Sequence, residues 1–180
     1  DLSAFYFDIR KDALYCDSKD TERRKGCIIV LNIILESLIK WFAPILSFTT
    51  EEIFTLISKD NKSIHLEEFM EFPKSFENEQ LNQKWIKLKK IRDICNISIE
   101  AKRASKEIGS SLETNLIISL NKNLIELIKN IDMAELCITS TAELIETTSN
   151  ETTAQTKKAE GEKCAVCWKI TKNGCARHPN

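Results

Sequence analysis

Apolar residues recur at helical spacing along the first part of the chain. Between about Thr21 and Phe42 they lie three or four positions apart, with charged residues on the other face, which predicts an amphipathic helix. Pro44 ends this helix, because proline disfavours a helical conformation in the residue before it. A second helix is predicted to start at Thr49, which forms a capping-box pattern with Glu52.

A long helix is predicted further along the chain. Residues 63–73 lack helical spacing, and we expect them to be extended or irregular. From about Asn78 to Lys106 an apolar stripe returns, and Gly109 with the serines after it ends the helix. The stripe consists of Leu81, Trp85, Leu88, Ile91, Cys95 and Ile99. Residues 1–110 are therefore predicted to form a helical bundle.

The pattern changes after Ser111. Asn115–Leu120 is a short apolar run with strand character, Leu124–Ile128 fits a short helix, and Glu135–Thr141 alternates like a second strand. Residues 111–146 are therefore predicted to form a small strand–helix–strand unit. The predicted fold class is mainly α.

The next segment, residues 147–162, contains no large apolar side chain. Such a segment cannot bury enough apolar surface to offset the entropy of ordering, so we expect a flexible linker. It separates residues 163–180 as a small unit, and so short a unit needs a staple such as a metal ion to fold.

Composition sets broad limits on function. The 180 residues are 42% hydrophobic and 29% charged, with a formal net charge of -1, so any binding to nucleic acid must come from local clustering of charge. No apolar run approaches the ~18 residues of a membrane span, and no secretory leader is recognisable. Because the chain begins with Asp1 rather than Met, we expect a fragment or a processed product.

The cysteine pattern indicates a reducing compartment. Of seven cysteines, Cys27 and Cys95 fall on apolar helix faces, where an unpaired cysteine behaves as a small buried hydrophobe. Three more lie within the last 17 residues. The odd total and the crowding at one end favour metal binding in the cytoplasm over a secreted disulfide framework.

The end of the chain carries the sharpest chemical pattern. Cys164 and Cys167 form a C-x-x-C pair, which can occupy adjacent corners of a zinc tetrahedron. Cys175 and His178 could complete a Cys₃His site, although the spacer before them is short. The alternative is a thioredoxin-type redox pair, which the flexible segment before the motif disfavours.

Trp168 directly follows the second cysteine. A metal would hold this aromatic side chain rigidly, so that it could stack on an unpaired nucleobase. The alternative is that the ring only covers the metal.

Charge is segregated along the chain. Residues 50–80 carry eight acidic and three basic side chains, whereas residues 81–107 carry eight basic and three acidic ones. A basic helix of this kind can follow a phosphate backbone. The alternative is a solvated face that partly pairs with the acidic segment. No glycine-rich phosphate loop or catalytic constellation occurs, and His65 fits a local polar contact, so this chain alone is predicted to be non-catalytic.

Four stretches together resemble the C-terminal part of bacterial isoleucyl-tRNA synthetases, in that family's order and spacing. They are DLSAFYFDIRKDALYCD, WFAPILSFTTEEIF, SIHLEEFMEFP and AKRASKEIGSSLET. The third and fourth stretches lie between the second stretch and the metal-binding tail. The family also has a metal-binding tail at this place. The second stretch alone would suit valyl- and leucyl-tRNA synthetases as well, whereas the first, combined with the C-x-x-C-W tail, points to isoleucine.

The resemblance implies a function. Residues 1–110 would be the anticodon-binding domain of a class Ia synthetase, whose parent enzyme joins isoleucine to its tRNA with ATP and Mg²⁺ through an aminoacyl-adenylate. The catalytic and editing domains would lie outside this chain. The implied partner is tRNA(Ile), with no membrane or DNA partner, and the expected protein is a cytoplasmic monomer with Zn²⁺ in its tail. The implied tRNA-binding residues are Trp168, Arg92, Lys102, Arg103 and Lys106.

The tail departs from the family pattern, which has C-x-R-C-W, a spacer of roughly twenty residues and a second C-x-R-C. Val166 stands where arginine is usual, which puts an arginine–tRNA contact there in doubt. In one alignment Cys175 and His178 are the last two ligands. In the other they belong to the spacer, the second cysteine pair lies past Asn180, and the chain is truncated. The short spacer favours the second alignment.

Two other functions remain compatible with the pattern. One is a stand-alone zinc-stapled module that binds protein through the apolar faces of its helices. The other is the anticodon-binding region of a valyl- or leucyl-tRNA synthetase, which shares the helices but does not account for the tail.

Overall fold

The chain folds into two compact units. The computed structural model describes residues 2–58 and 62–178. The helical unit spans Asp17–Glu77, and the sheet unit combines residues 2–16 with residues 78–178. The architecture is mainly α-helical, as predicted, with a small three-stranded sheet. Within the described ranges no helix is both long and apolar enough to cross a lipid bilayer.

Two helices make up most of the helical unit. They are α2 (Glu22–Phe42) and α3 (Ser47–Ile57). The turn between them contains Pro44, where the sequence predicts the first helix to end. Ile39, Ala43 and Ile64 are buried in a small core against which Ile53 and Phe54 pack. Among the described residues 62–77 there are only short 3₁₀ turns, at Ile64–Leu66 and Lys74–Phe76, in agreement with the predicted irregular region.

The predicted capping box at the start of α3 is wrong. The N-cap is Leu46, three residues before Thr49; the helix begins at Ser47, and Leu46 makes no side-chain cap. Thr49 therefore lies inside the first turn, where its hydroxyl cannot cap. The adjacent Thr50 hydroxyl instead donates to the Leu46 carbonyl at 2.9 Å. The Glu51 carboxylate accepts from the Ile64 N–H at 2.9 Å and thereby fixes the chain after the helix.

In the part of the chain that the structure describes, the sheet unit contains six helices or helical turns, one of them a 3₁₀ turn at Ser111–Glu113, and five strands. A π-helical turn at Leu2–Phe7 leads into α1 (Asp8–Cys16), and α4 spans Glu79–Ala104. Then follow β1 (Thr114–Leu120), α5 (Lys122–Ile128), α6 (Met133–Leu136), β2 (Thr141–Glu146), β3 (Thr153–Lys158), β4 (Glu162–Lys163) and β5 (Ile170–Thr171). The long predicted helix is confirmed, and the Asn78 side chain caps it by accepting from the Leu81 N–H.

The sheet has the strand order β2-β1-β3. The central strand β1 is parallel to β2 and antiparallel to β3. The parallel pair needs a crossover connection, which α5 and α6 supply. Alternate residues of β1 are buried, as the two-residue period of a strand requires when one face is covered.

The core of the sheet unit lies between α4 and β1. Leu116, Ile118 and Leu120 of β1 are fully buried and share one cluster with the α4 stripe, in which Leu88 and Cys95 are also fully buried. Ile9 of α1 and both Met133 and Leu136 of α6 belong to the same cluster. The predicted burial of Cys95 is confirmed, as is that of Cys27 in the helical unit.

The segment predicted as a flexible linker, residues 147–162, contains a β-strand. Strand β3 pairs with β1 so that Leu116 lies opposite Thr156. Thr156 is buried, and its hydroxyl lies 2.8 Å from that of Ser98 on α4. The absence of large apolar residues misled the prediction, because an edge strand is held by backbone hydrogen bonds and needs only small side chains on its covered face.

Two further expectations are corrected. The sequence predicts a strand at Glu135–Thr141, but α6 ends at Leu136 and the strand begins only at Thr141. The alternation there belongs to a buried turn, in which Ile138 has φ 56°. Residues 1–110 do not form one bundle either: α1 and α4 bury their apolar faces with the sheet, and they lie in a different unit from α2 and α3.

The buried face of β1 predicts how much stability the protein loses when one of its side chains is shortened. We expect Leu116→Ala to lower the free energy of unfolding by about 2–5 kcal/mol, the usual cost of cutting a fully buried leucine to alanine. Ile145→Ala on β2, where the side chain is 43% exposed, should cost less than half as much. Urea unfolding followed by circular dichroism measures both. Equal losses in the two variants would contradict the assigned core.

Candidate metal centre and exposed aromatic

The two-stranded hairpin β4–β5 carries the C-x-x-C pair in its turn. We call residues 162–178 the knuckle. The Cys164 N–H donates to the Lys169 carbonyl at 2.9 Å, and the Trp168 N–H donates to the Cys164 carbonyl at 3.0 Å. These bonds close a tight loop around the first cysteine. The C-x-x-C pair thus lies in a hairpin turn and not at the start of a helix, where a thioredoxin-type pair would have its thiolate stabilised.

The hairpin depends on a glycine and on the serine that directly precedes β2. Gly161 has φ 126°, and a Cβ atom there would collide with the Thr171 carbonyl. The Ser140 hydroxyl accepts from the Ile170 N–H at 2.6 Å and donates to the Leu112 carbonyl. The knuckle is therefore attached, through β5, to the chain at the start of β2.

Four side chains converge beneath the hairpin. The thiol sulfurs of Cys164, Cys167 and Cys175 and a ring nitrogen of His178 all lie within 4.8 Å of one another. The Cys167 and Cys175 Sγ atoms are 3.7 Å apart, and His178 Nδ1 lies 3.5 Å from Cys164 Sγ and 3.3 Å from Cys175 Sγ. The structure thus brings together all four predicted ligands, as the alignment with His178 in fourth place expects.

These separations fit a tetrahedral zinc site. With Zn–S near 2.3 Å and Zn–N near 2.0–2.1 Å, tetrahedral angles put sulfurs about 3.8 Å apart and sulfur and nitrogen about 3.6 Å apart. Three soft thiolates and one imidazole are also a donor set that zinc favours. The arrangement can therefore hold a Zn²⁺ ion with no position left for substrate, as in a structural site.

The imidazole of His178 is oriented from its far side. Its Nε2–H donates to the backbone carbonyl of Cys16 at 2.7 Å, and this hydrogen bond raises the pKa of His178. With the proton on Nε2, the Nδ1 lone pair faces the three sulfurs. Histidine ligands commonly have such an outer hydrogen bond, which fixes the tautomer and the ring plane.

The three thiols differ in acidity. The backbone N–H groups of Cys167 and Val166 point at the Cys164 sulfur and lower its pKa to about 6. Burial raises the pKa of Cys167 to about 11. Burial would also raise the pKa of Cys175, but the N–H groups of Arg177 and His178 outweigh it and lower that pKa. A nearby cation would favour the thiolate form of all three.

Helix α1 supplies the partners of the last turn of the knuckle. The Arg177 guanidinium donates two hydrogen bonds to the Asp12 carboxylate, at 2.8 and 2.9 Å. Cys16, one turn further along the helix, receives the His178 hydrogen bond, and its thiol donates to the Val166 carbonyl at 3.8 Å. These partners cannot be identified from the sequence, since their only local signal is the i,i+4 spacing of Asp12 and Cys16.

Trp168 lies at the surface of the knuckle with its side chain available. It is 60% exposed and has φ 62°, a left-handed conformation that is rare for a bulky residue. The hydrogen bond to Cys164 holds this conformation. The Lys163 ammonium lies 5.9 Å from the ring centre. Such an outlier held by surrounding structure is typical of functional positions.

A mostly apolar cleft of about 340 Å³ lies beside Trp168. Tyr15 of α1, which is 80% exposed, and Val166, which is 53% exposed, line it together with the Trp168 ring. The cleft is large enough for a planar aromatic group. Both exposed rings therefore border one surface, a relation that their separation in sequence concealed.

The four predicted basic residues on or after α4 have different environments. The Arg92 Nε–H donates to the Leu136 carbonyl at 2.9 Å, and its guanidinium lies over the Phe5 ring, so this side chain holds the unit together. Lys102 pairs with Glu107 at 2.7 Å, Arg103 pairs with Glu100 at 2.8 Å, and Lys106 is exposed. The last three lie near the end of the helix, about 16 Å along its axis from Arg92.

The thiol acidities predict an order of chemical modification. In the metal-free chain at pH 7, Cys164 should be alkylated well before Cys167, because the thiolate is the reactive form and, of these two thiols, Cys164 is the one with a pKa below that pH. Alkylation followed by peptide mass spectrometry measures the order. Cys95, which is fully buried, should react only on unfolding and serves as the internal control. Faster modification of Cys167 would contradict the assigned environments.

Comparison with known proteins extends these observations. A curated isoleucine–tRNA ligase of Pelagibacter ubique is 71% identical over 178 residues, which is 99% of this chain and 20% of that protein. Those of Bartonella henselae and Agrobacterium fabrum are 39% and 37% identical over 96% and 95% of this chain, and each match covers 19% of the relative. The chain thus spans about a fifth of the length of these relatives.

A family described as the anticodon-binding domain of tRNA ligase matches residues 1–118. That range contains both helices of the helical unit together with α1, α4 and most of β1. It covers more than half of the chain and ends before the knuckle. The chain therefore belongs to the anticodon-binding domain family of tRNA ligases.

Proposed function

We propose that this chain is the tRNA-binding region of an isoleucine–tRNA ligase, with a zinc-stabilised knuckle that contacts the anticodon side of tRNA(Ile). The observation that carries the proposal is the exposed Trp168 held beside the Cys₃His cluster in a chain of the anticodon-binding family. The names of the curated relatives supply the amino acid. The parent enzyme would attach isoleucine to tRNA with ATP and Mg²⁺ through an aminoacyl-adenylate, in the cytoplasm and as a monomer.

The proposed role of the metal is structural. Within the knuckle Cys167 is the one buried residue, so packing alone contributes little to its stability. A structural zinc ion supplies on the order of 10 kcal/mol or more in small domains of this kind. The ion would hold the C-x-x-C turn and thereby the orientation of Trp168. Catalysis would take place outside this chain.

Two contact types would share the binding of tRNA. Trp168 would stack on an unpaired base, a contact that any base can make and that depends little on salt, because it neutralises no phosphate. Lys102, Arg103 and Lys106 would meet phosphates, and such contacts weaken as salt rises because each one releases counterions. Arg92 is already engaged with Leu136 and Phe5, so its proposed contribution to tRNA binding is to hold α4 in place.

The metal site predicts one tightly bound Zn²⁺ per chain. His178→Ala should weaken zinc binding by more than about 100-fold, because the loss of a ligand exceeds the 10–100-fold cost of losing an outer partner. His65→Ala, which removes the other histidine of the chain from an exposed position, is the matched control. Competition with a chromophoric chelator measures the affinities. Zinc binding that ignores His178→Ala would rule out the Cys₃His assignment.

The aromatic contact predicts that Trp168→Ala weakens binding to a tRNA(Ile) transcript by about 1–3 kcal/mol, the usual value of a stacked base, with zinc content unchanged. The steepness of the salt dependence should stay the same. Trp41→Ala removes a similarly exposed indole of α2 and serves as the control. Fluorescence anisotropy over a series of salt concentrations measures affinity and slope. Unchanged affinity in Trp168→Ala would refute the stacking role.

The phosphate contacts, unlike the aromatic contact, predict a change in the salt dependence of tRNA binding. Arg103→Ala should weaken binding at low salt and reduce the salt slope by about one, since one phosphate contact is lost. The same anisotropy series measures it. A slope equal to that of the unmodified chain would show that Arg103 only pairs with Glu100.

A further inference from the structure

The last turn of the knuckle is connected to helix α1 at two adjacent residues. Arg177 forms the two-pronged ion pair with Asp12, and His178 donates to the Cys16 carbonyl. Asp12 and Cys16 are four residues apart, so they lie on the same face of α1. The partners are separated by more than 160 positions in sequence, and they meet only in the folded sheet unit.

We propose that Asp12 and Arg177 are positioning residues of the metal site, which makes α1 part of that site. This inference rests on the proposed function, since it concerns the proposed zinc ion. The ion pair seats the last turn of the knuckle on α1, so that the neighbouring His178 reaches the Cys16 carbonyl and presents Nδ1 to the three sulfurs. Arg177 is therefore assigned a role in binding Asp12 within the protein and not in contacting RNA.

The geometry of the pair supports this assignment. Two parallel N–H···O bonds fix both the distance and the plane of the guanidinium, which a single contact would not do. The Arg177 and Asp12 side chains are only 32% and 20% exposed. By contrast, the nearby Lys172 and Glu160 side chains are 74% and 80% exposed, respectively, and they are joined by a single contact of 3.2 Å.

The backbone of the same turn touches the cluster directly. The N–H groups of Arg177 and His178 point at the Cys175 sulfur, and the His178 N–H also donates to the Cys175 carbonyl at 3.2 Å. A shift of this turn away from α1 would therefore move two ligands, Cys175 and His178, relative to the other two. That is how a residue that touches no metal can control metal affinity.

The test measures zinc affinity by chelator competition in the full chain. Asp12→Ala and Arg177→Ala should each weaken zinc binding by about 10–100-fold, the usual cost of losing an outer partner of a ligand. Arg177→Lys keeps the charge but loses the fork, so it should weaken binding too. The exchange Asp12→Arg with Arg177→Asp should restore most of the affinity. Lys172→Ala, which removes a cation from the same knuckle, should leave it unchanged.

The visible spectrum of the Co²⁺-loaded chain gives a second measurement, because it reports the coordination around the metal independently of overall stability. We expect it to change in both single variants and to return in the exchange variant. Unchanged affinity and spectrum in Asp12→Ala and Arg177→Ala would overturn the inference while leaving the zinc site intact. A wild-type chain that takes up neither metal would overturn the proposed site and this inference with it.

A direct role of Arg177 in RNA binding would give a different pattern. In that case Arg177→Ala would lose affinity for the tRNA(Ile) transcript with zinc binding unchanged, and Asp12→Ala would affect neither. That result would also overturn the inference.

Discussion

The sheet unit depends on the contact between the apolar face of α4 and the buried face of β1. These two elements supply most of the fully buried side chains of the unit, including Leu88, Cys95, Leu116 and Ile118. Because Ile9 of α1 joins the same cluster, this contact also holds α1 in place. The long helix therefore does more than carry basic residues on its surface. It holds in place α1 and the sheet, which contact the knuckle.

The knuckle has almost no core of its own, so its order must come from polar contacts and coordination. Strands β4 and β5 contain two residues each. Ser140 attaches β5 to the sheet, and α1 receives the last turn through Asp12 and Cys16. Each of these anchors reaches the knuckle from an element of the sheet unit. The geometry of the four-ligand cluster thus depends on the α4–β1 contact, because that contact holds α1 and the sheet in place.

Sequence reasoning succeeded where the determining interactions are local. The 3.6-residue period of α4 and the C-x-x-C spacing can both be read from residues that are close together in the sequence. Both therefore led to correct predictions, of a long helix and of a cysteine pair in the cluster. It failed for β3, whose partner strand lies some forty residues earlier and whose small side chains give no apolar signal. The short spacer before Cys175 and His178 favours the alignment in which they are not ligands, and only the folded position of the last turn brings them to Cys164. The Asp12–Arg177 pair has no sequence signal, because 165 positions separate its members.

The engagement of Arg177 shapes how the knuckle could meet RNA. Val166 occupies one position where the related pattern has arginine, and the arginine at the other is paired with Asp12. The Lys163 ammonium near the Trp168 ring also lies 3.8 Å from the Glu113 carboxylate, which offsets part of its charge. Besides its lysines, the knuckle therefore offers the flat face of Trp168 beside an apolar cleft. Under the proposed function, the knuckle would contribute stacking that salt barely affects, and the salt-dependent share of the affinity would fall to the cations near the end of α4.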